Sequence, residues 1–350
     1  MITVITEIIQ SSDRDHPADA TMRRVLKARK SIDPAEAREI ADAVFAYYRW
    51  FRWINPRDSI PKQLRQAQDL DRNPPSDLSR AVPEWINDEV EVTREWLQSL
   101  QTKPRIWIRA RLARGASLAQ KLGDCKAGPI ADSLEYRGAQ DLFSTPEFKA
   151  GEFELQDIAS QMVGVACSPR PGETWWDACA GEGGKLLLLS DLMQNKGLIW
   201  ASDRAQWRLD RLKRRAGRAR VFNYRSVLWD GGARLPTKTR FDGILIDAPC
   251  SGIGTWARNP QARWTLTPQD IAELKQLQIQ LIRHAAPALK PNERVIYSVC
   301  TLARSETLDV VEALQSALGT PQTTWLLPQE TQGNGMFIAT WRMEKQKAGS

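Results

Sequence analysis

At 350 residues the chain exceeds one ordinary domain, and 42% apolar residues are ample for two or three packed cores. No apolar run reaches the length of a membrane helix, so a helical membrane protein is not expected. Five scattered cysteines with no CxxC pair, beside only two histidines, argue against a disulfide framework and a zinc site, and a reducing cytoplasm is the expected setting. A net charge of +7 favours an anionic partner such as nucleic acid.

Met1 to Gln10 is apolar but lacks a basic start and carries Glu7, which reads as a helix of the fold rather than a signal peptide. Asp33-Pro34-Ala35-Glu36 combines an N-cap, a proline at the first helical position and an acid at the third. Ala37, Ile40, Ala41, Val44, Phe45 and Tyr48 follow at helical spacing. Asn73-Pro74-Pro75-Ser76 reads as a loop, and a helix is expected from Val82-Pro83-Glu84-Trp85 to about Leu100. Residues 1–102 are therefore expected to form an all-α domain with no catalytic cluster. Residues 103–147 read as a small α+β insert, with a strand at Ile106 to Arg109, a short helix at Ser117 to Lys121 and turns at Gly123, Gly128 and Gly138.

From 148 to 345 strands and helices alternate, which predicts a mostly parallel sheet with helices on both faces. The expected strands are Thr174–Ala178, Leu198–Ser202, Arg220–Tyr224, Gly243–Asp247 and Arg294–Val299, with a terminal antiparallel hairpin around Gly333-Asn334-Gly335. Residues 344–350 are polar and expected to fray. Trp175-Trp176 falls in the first of these strands and should be core.

Asp177-Ala-Cys-Ala-Gly-Glu-Gly-Gly-Lys185 ends that strand and opens a helix. Its glycines let the backbone approach a ligand, and the helix N-terminus offers free N–H groups to an anion. Asp203 closes the next strand, where an acid commonly takes ribose hydroxyls. Together they favour an adenosine-bearing cofactor, without choosing between a nicotinamide and S-adenosylmethionine. The loop candidates are Ala178, Cys179, Ala180, Gly181, Gly183, Gly184 and Lys185, with Asp203, Arg208, Asp230 and Asp247 as further cofactor contacts; Cys179 reads as a packing residue rather than a reactant.

Two thiols make the choice. Phe241 to Asp247 is a short apolar strand followed by Ala248-Pro249-Cys250-Ser251-Gly252, and Arg294 to Val299 is a second strand ending in Cys300. Ligands bind at the carboxyl ends of strands in such sheets. The C5 carbon of cytosine is a poor nucleophile, and a thiolate adding at C6 activates it. Asp247 is placed to hold the base edge where charge develops. The basic run from Arg204 to Arg220 reads either as phosphate-neutralising or as a solvated helix face, and Trp256, Arg258, Arg263 and Trp264 fall on the loop after Cys250, the one expected to meet a nucleic-acid partner. His284 reads as packed within a long helix from about Gln269 to Ala288.

Asp247-Ala-Pro-Cys-Ser-Gly-Ile-Gly254 with Arg258-Asn-Pro260, Tyr297-Ser-Val-Cys-Thr301 with Glu306, and the loop at Asp177 to Lys185 resemble the motifs of the RsmB/NOP (Fmu/Sun) family of RNA cytosine-C5 methyltransferases. Arg24 to Arg49 is similar to the NusB-like helical domain of bacterial members. The resemblance implies a Rossmann-like class I methyltransferase fold in an α/β chain, S-adenosylmethionine as cofactor, no metal, and RNA, with ribosomal RNA foremost, as substrate for a monomer. It implies Cys300 as nucleophile, Cys250 in product release, Lys185 and Asp247 on the target base, and Asp203 on the cofactor ribose. The pattern departs at Val299, where the family has threonine, at Glu182 and Leu186 in the loop, and at Asn223-Tyr224-Arg225, where an acid usually closes the third strand and Asp230 is displaced. The alternative is a non-catalytic RNA-binding assembly factor that keeps the fold; a nicotinamide-dependent oxidoreductase leaves Pro-Cys-Ser-Gly unexplained.

Overall fold

The computed structural model describes residues 1–29 and 31–343; residue 30 and the tail 344–350, including the fraying expected there, lie outside the described residues. The chain forms two compact units, one of residues Met1–Pro104 and Gly252–Asp270, the other of Arg105–Ser251 and Ile271–Ser350.

The first unit is helical: α1 (Ile2–Gln10), α2 (Ala18–Ala28), α3 (Pro34–Arg49), α4 (Ile60–Arg72), α5 (Arg94–Gln101) and the single turn α11 (Ala262–Thr265). The Asp33 carboxylate caps α3 by accepting from the Ala35 and Glu36 amides, as its position before Pro34 predicts. The apolar stripe of α3 buries Ile40 and Val44 against Ile5 and Ile8 of α1 and Leu64 of α4. The helix expected from residue 82 to 100 is instead a 3₁₀ turn, Glu84–Asp88, then α5 capped by Thr93. Asp88-Glu89-Val90 breaks the apolar period, and a threonine offering its side chain to the Trp96 amide starts a new helix.

The second unit holds two sheets. The smaller is antiparallel, in the order β2 (Cys125–Ala127), β3 (Ser133–Tyr136), β1 (Ile106–Ala110), β4 (Phe153–Leu155), with α6 (Gly115–Leu122) and the short α7 (Pro146–Lys149) beside it. The larger has seven strands: β5 (Thr174–Asp177), β6 (Leu198–Asp203), β7 (Tyr224–Leu228), β8 (Phe241–Asp247), β9 (Leu289–Val299), β10 (Gln322–Leu326) and β11 (Met336–Arg342), in the order β10-β11-β9-β8-β5-β6-β7. Strands β5 to β9 run parallel, and β10 and β11 close the edge antiparallel, so the expected doubly wound sheet with its terminal hairpin is present.

One face packs α8 (Ile158–Cys167), α9 (Gly184–Leu192) and α10 (Gln206–Arg218) over Trp175, Ile199 and Leu245. The other packs α12 (Pro268–Ala285), from Ile271 onward, and α13 (Leu308–Leu318) over Trp176, Ile244 and Tyr297. A final turn of helix, α14 (Pro328–Thr331), leads into β11. Trp175 and Trp176 point to opposite faces and both are fully buried, the period-2 alternation of a central strand. Gly243 makes that possible: a Cβ there would lie 2.4 Å from the Trp175 ring. The order of the sheet reverses between β5 and β8, so the loops that follow these two strands open on the switch point where ligands bind.

Candidate active site

The loops after β5, β6, β8 and β9 surround a cavity of about 630 Å³ that Asp177, Lys185, Asp203, Asp247, Cys250 and Cys300 all line. Cys250 Sγ and Cys300 Sγ stand 3.3 Å apart, although 50 residues separate them in the chain. The parallel pairing of β8 with β9 sets this, because Asp247 opposite Ser298 leaves both thiols one short step beyond the sheet. Lys185, in the first turn of α9, reaches Asp247 with an Nζ–Oδ2 distance of 2.6 Å, and the Ser298 hydroxyl donates to Asp247 Oδ1 at 2.8 Å. Burial works to lower the Lys185 ammonium, but Asp247, helped by Cys300 and Asp177, carries it above its usual value.

Glu306 organises the wall behind the thiols. It is fully buried and accepts from the Ser251 amide at 2.9 Å, from the Ser251 hydroxyl and from Gln278 Nε2 at 2.8 Å. Gln278 also donates to the Pro249 carbonyl, and the Tyr297 hydroxyl donates to the Glu306 carbonyl at 2.7 Å. Burial pushes the Glu306 carboxyl up, against the hydrogen bonds it receives. The Pro-Cys loop is thereby clamped on both sides of Cys250. Val299, where the family pattern has threonine, is buried in the core and has no polar task.

The glycine loop turns through two left-handed residues, Gly181 at φ +54° and Gly183 at φ +85°. A Cβ on Gly183 would also meet Leu212 at 2.8 Å. The Gly181 amide donates to Asp203 Oδ2 at 3.1 Å and the Ala205 amide to Oδ1 at 2.8 Å, which fixes the acid while leaving lone pairs toward the cavity. Asp177 is 1% exposed, and neither carboxylate oxygen has a hydrogen-bond partner. Burial, reinforced by Asp247, raises it to about 8. A partnerless carboxyl in this wall is met by a ligand that donates a hydrogen bond to it or carries positive charge, and the sulfonium and ammonium of S-adenosylmethionine are such groups. Asp203 beside the helix N-terminus fits the ribose, so the donor set suits this group.

Of the sequence candidates, Ala178, Cys179, Ala180, Gly181, Gly184, Lys185, Asp203, Arg208, Asp230, Asp247, Cys250 and Cys300 all line this one cavity, and Gly183 turns the loop behind it. Cys179 packs against the core beside Trp176, and burial among acids pushes its thiol far up, away from reactivity. The third strand lies at 224–228, not 220–224, because Val221 leaves the end of α10 to cap its core. Asp230 therefore follows the strand end by two residues and borders the cavity. Asp177, Ser298 and Gln278 escaped the sequence candidates; Asp177 shares with Asp247 the strand-terminal position that marked the latter.

The loop after Cys250 is a correction. Trp256 and Arg263 are fully buried inside the helical unit and do not form an RNA-facing surface. The Arg263 guanidinium donates to the carbonyls of Ala81, Leu100 and Trp256, and Trp256 stacks on Trp96. Trp264 is half-buried and donates to the Tyr48 carbonyl at 2.8 Å. The basic run is also largely matched: Arg208 pairs with Asp203, Arg211 with Glu182, and Arg215 and Arg218 with Glu154. His284 is held by the Gly231 carbonyl at 2.7 Å, a packing role. Among the described residues no helix is long and apolar enough to cross a membrane.

A doubly wound sheet with a glycine loop, an acid on the second strand and a cavity at the switch point defines the Rossmann-like methyltransferase class. The chain is similar in structure to a methyltransferase homologue from Pyrococcus horikoshii, with a TM-score of 0.61 and 26% identity over 71% of this chain and 90% of its own. A family model described as 16S rRNA methyltransferase RsmB/F matches residues 165–318. The ribosomal RNA small subunit methyltransferase B of Salmonella newport is 31% identical over 81% of this chain and 71% of its own length. A probable ribosomal RNA small subunit methyltransferase B of Synechocystis is 38% identical over 48% of this chain. The chain belongs to the RsmB/F family. It spans only 38% of the Synechocystis relative's length.

Proposed function

We propose that the chain is an S-adenosylmethionine-dependent RNA methyltransferase that forms 5-methylcytosine, with ribosomal RNA as substrate. The observation that carries this is the 3.3 Å approach of Cys250 and Cys300 in a cavity that also holds the Lys185–Asp247 pair. In this reading the Cys300 thiolate adds to C6 of a cytosine taken out of its stack, forming a carbon–sulfur bond and driving the ring electrons to C5. Asp247 holds the N3/N4 edge, and the Lys185 ammonium offsets the charge that develops there. S-adenosylmethionine, when bound, supplies the electrophilic methyl group. Once C5 carries it, the C5 proton passes to water, its electron pair restores the C5–C6 double bond, and the carbon–sulfur bond breaks to release the Cys300 thiolate, with Cys250 assisting that departure. The helical domain at 1–102, read as NusB-like, binds the RNA, the small α+β insert spans 103–147, and the catalytic domain spans 148–345.

The test is methylation of ribosomal RNA fragments by the purified chain, read by bisulfite sequencing and mass spectrometry. Cys300→Ala is expected to abolish product, and Cys250→Ala to accumulate a denaturation-resistant RNA–protein adduct. Turnover by Cys300→Ala would sink the assignment. Absence of S-adenosylmethionine binding by calorimetry would leave an RNA-binding assembly factor in its place.

A further inference from the structure

A larger cavity of about 970 Å³ lies elsewhere in the second unit and shares no lining residue with the one that holds the thiols. It is bordered by the end of β1 and by α8 and α9. Two of its lining side chains are buried, each with one polar atom unmet. Arg109, 3% exposed, gives Nε to Gln156 and Nη1 to Asp191, but its Nη2 has no partner. Gln161, 0% exposed, gives Nε2 to the Gln156 carbonyl at 2.8 Å, but its Oε1 has none. A buried donor and a buried acceptor left open in one cavity are costly unless a ligand or water meets them.

The rest of the cavity is of a different character. Leu112, Val165 and Leu192 are exposed apolar side chains along it. Arg114 and Arg220 are exposed, and neither guanidinium has a carboxylate partner among the described residues. Leu112 and Ala113 are both left-handed, at φ +58° and +56°, a conformation that side-chain-bearing residues hold at a cost and that gathers at ligand sites.

We propose that this cavity binds one nucleotide, its base lying against the apolar wall with a donor–acceptor edge on Arg109 Nη2 and Gln161 Oε1, and its phosphate on Arg114 and Arg220. A flat apolar body with an adjacent donor and acceptor is the chemistry of a nucleobase, and guanidinium forks match phosphate. The volume falls in the range of small-molecule sites. The source is either an unstacked nucleotide of the RNA, which rests on the function proposed above, or a free nucleotide, which does not.

Calorimetry of the full chain, with S-adenosylmethionine present in excess to fill the other cavity, tests this against the four ribonucleoside 5′-monophosphates and against short single-stranded RNA. At least one monophosphate is expected to bind with unit stoichiometry. Arg114→Ala with Arg220→Ala should weaken it at least tenfold, and Val165→Trp, which fills the cavity from a helix surface, should abolish it while the melting temperature stays unchanged. An oligonucleotide that competes and binds at least tenfold tighter assigns the site to RNA, and the reverse order assigns it to a free nucleotide. Cys300→Ala should leave this binding intact, which separates failure here from failure of the methylation chemistry. Absence of binding by every probe, or binding indifferent to Val165→Trp, would show a merely hydrated cavity and overturn the proposal.

Discussion

Lys185, in the first turn of α9, and Asp247, at the end of β8, meet at 2.6 Å. Neither charge stands well alone there. The lysine is almost buried, and the carboxylate takes its remaining support from the Ser298 hydroxyl. Loss of either partner leaves the other without its counter-charge.

Lys185→Ala and Asp247→Asn are therefore expected to lower single-turnover methylation by about 10²–10³-fold, the usual range for losing one preorganised electrostatic group. Circular dichroism should remain that of the parent. Near-parental turnover by either variant would remove the pair from the chemistry.

Cys250 and Cys300 are close enough for oxidation to join them. Closing 3.3 Å to a disulfide of about 2.05 Å needs a modest shift and the loss of two protons and two electrons, which diamide accepts. Diamide is expected to remove two free thiols of the five, to stop methylation, and to be reversed by dithiothreitol. Cys250→Ser should lose no thiol pair under the same treatment; if it does, the pairing is between other cysteines.

Asp177 links stability to pH. Burial raises its carboxyl from 3.8 to about 8 in the folded chain. Between these values the folded state holds a proton that the unfolded state has released, so this residue's contribution to stability falls as pH rises, by at most about 1.4 kcal/mol per pH unit. Urea unfolding at pH 5 and pH 7.5 should show that slope in the parent relative to Asp177→Asn. A cationic ligand favours the ionised form, so S-adenosylmethionine should bind more tightly as pH approaches 8 and release a proton on binding. Heats that do not vary among buffers of different ionisation enthalpy would contradict this.

Arg263 is structural. Its guanidinium is fully enclosed and satisfies three backbone carbonyls within the helical unit. Arg263→Ala should cost about 3 kcal/mol, since it leaves a void and buried acceptors unmet. The half-buried Arg258, changed to alanine, should cost far less. Denaturant midpoints for the two variants decide the point.

The legible parts of this site were those whose meaning is local. Asp203, Asp247 and Cys300 each end or follow a strand, and the strands announce themselves by short branched runs between turn residues. The third strand was displaced because Arg220-Val221-Phe222 has strand-like composition, whereas Val221 completes the core of α10. Trp256 and Arg263 looked like an RNA-facing loop because a tryptophan and an arginine read alike in a contact surface and in a buried hydrogen-bonded position. Only their carbonyl partners and ring neighbours tell the two apart.

Taken alone, the order of residues determined the alternation of strands and helices, the glycine turn and the presence of two strand-end thiols, because these depend on neighbours within a few positions. Tertiary structure decided what those pieces do together: the 3.3 Å thiol pair, the ion pair at its side and the partnerless Asp177. The physical reason is that parallel pairing of β8 with β9 and with β5 brings strand ends that are far apart in sequence, at Asp177, Asp247 and Ser298, to one edge. Distance, burial and charge at that edge have no counterpart in a linear reading.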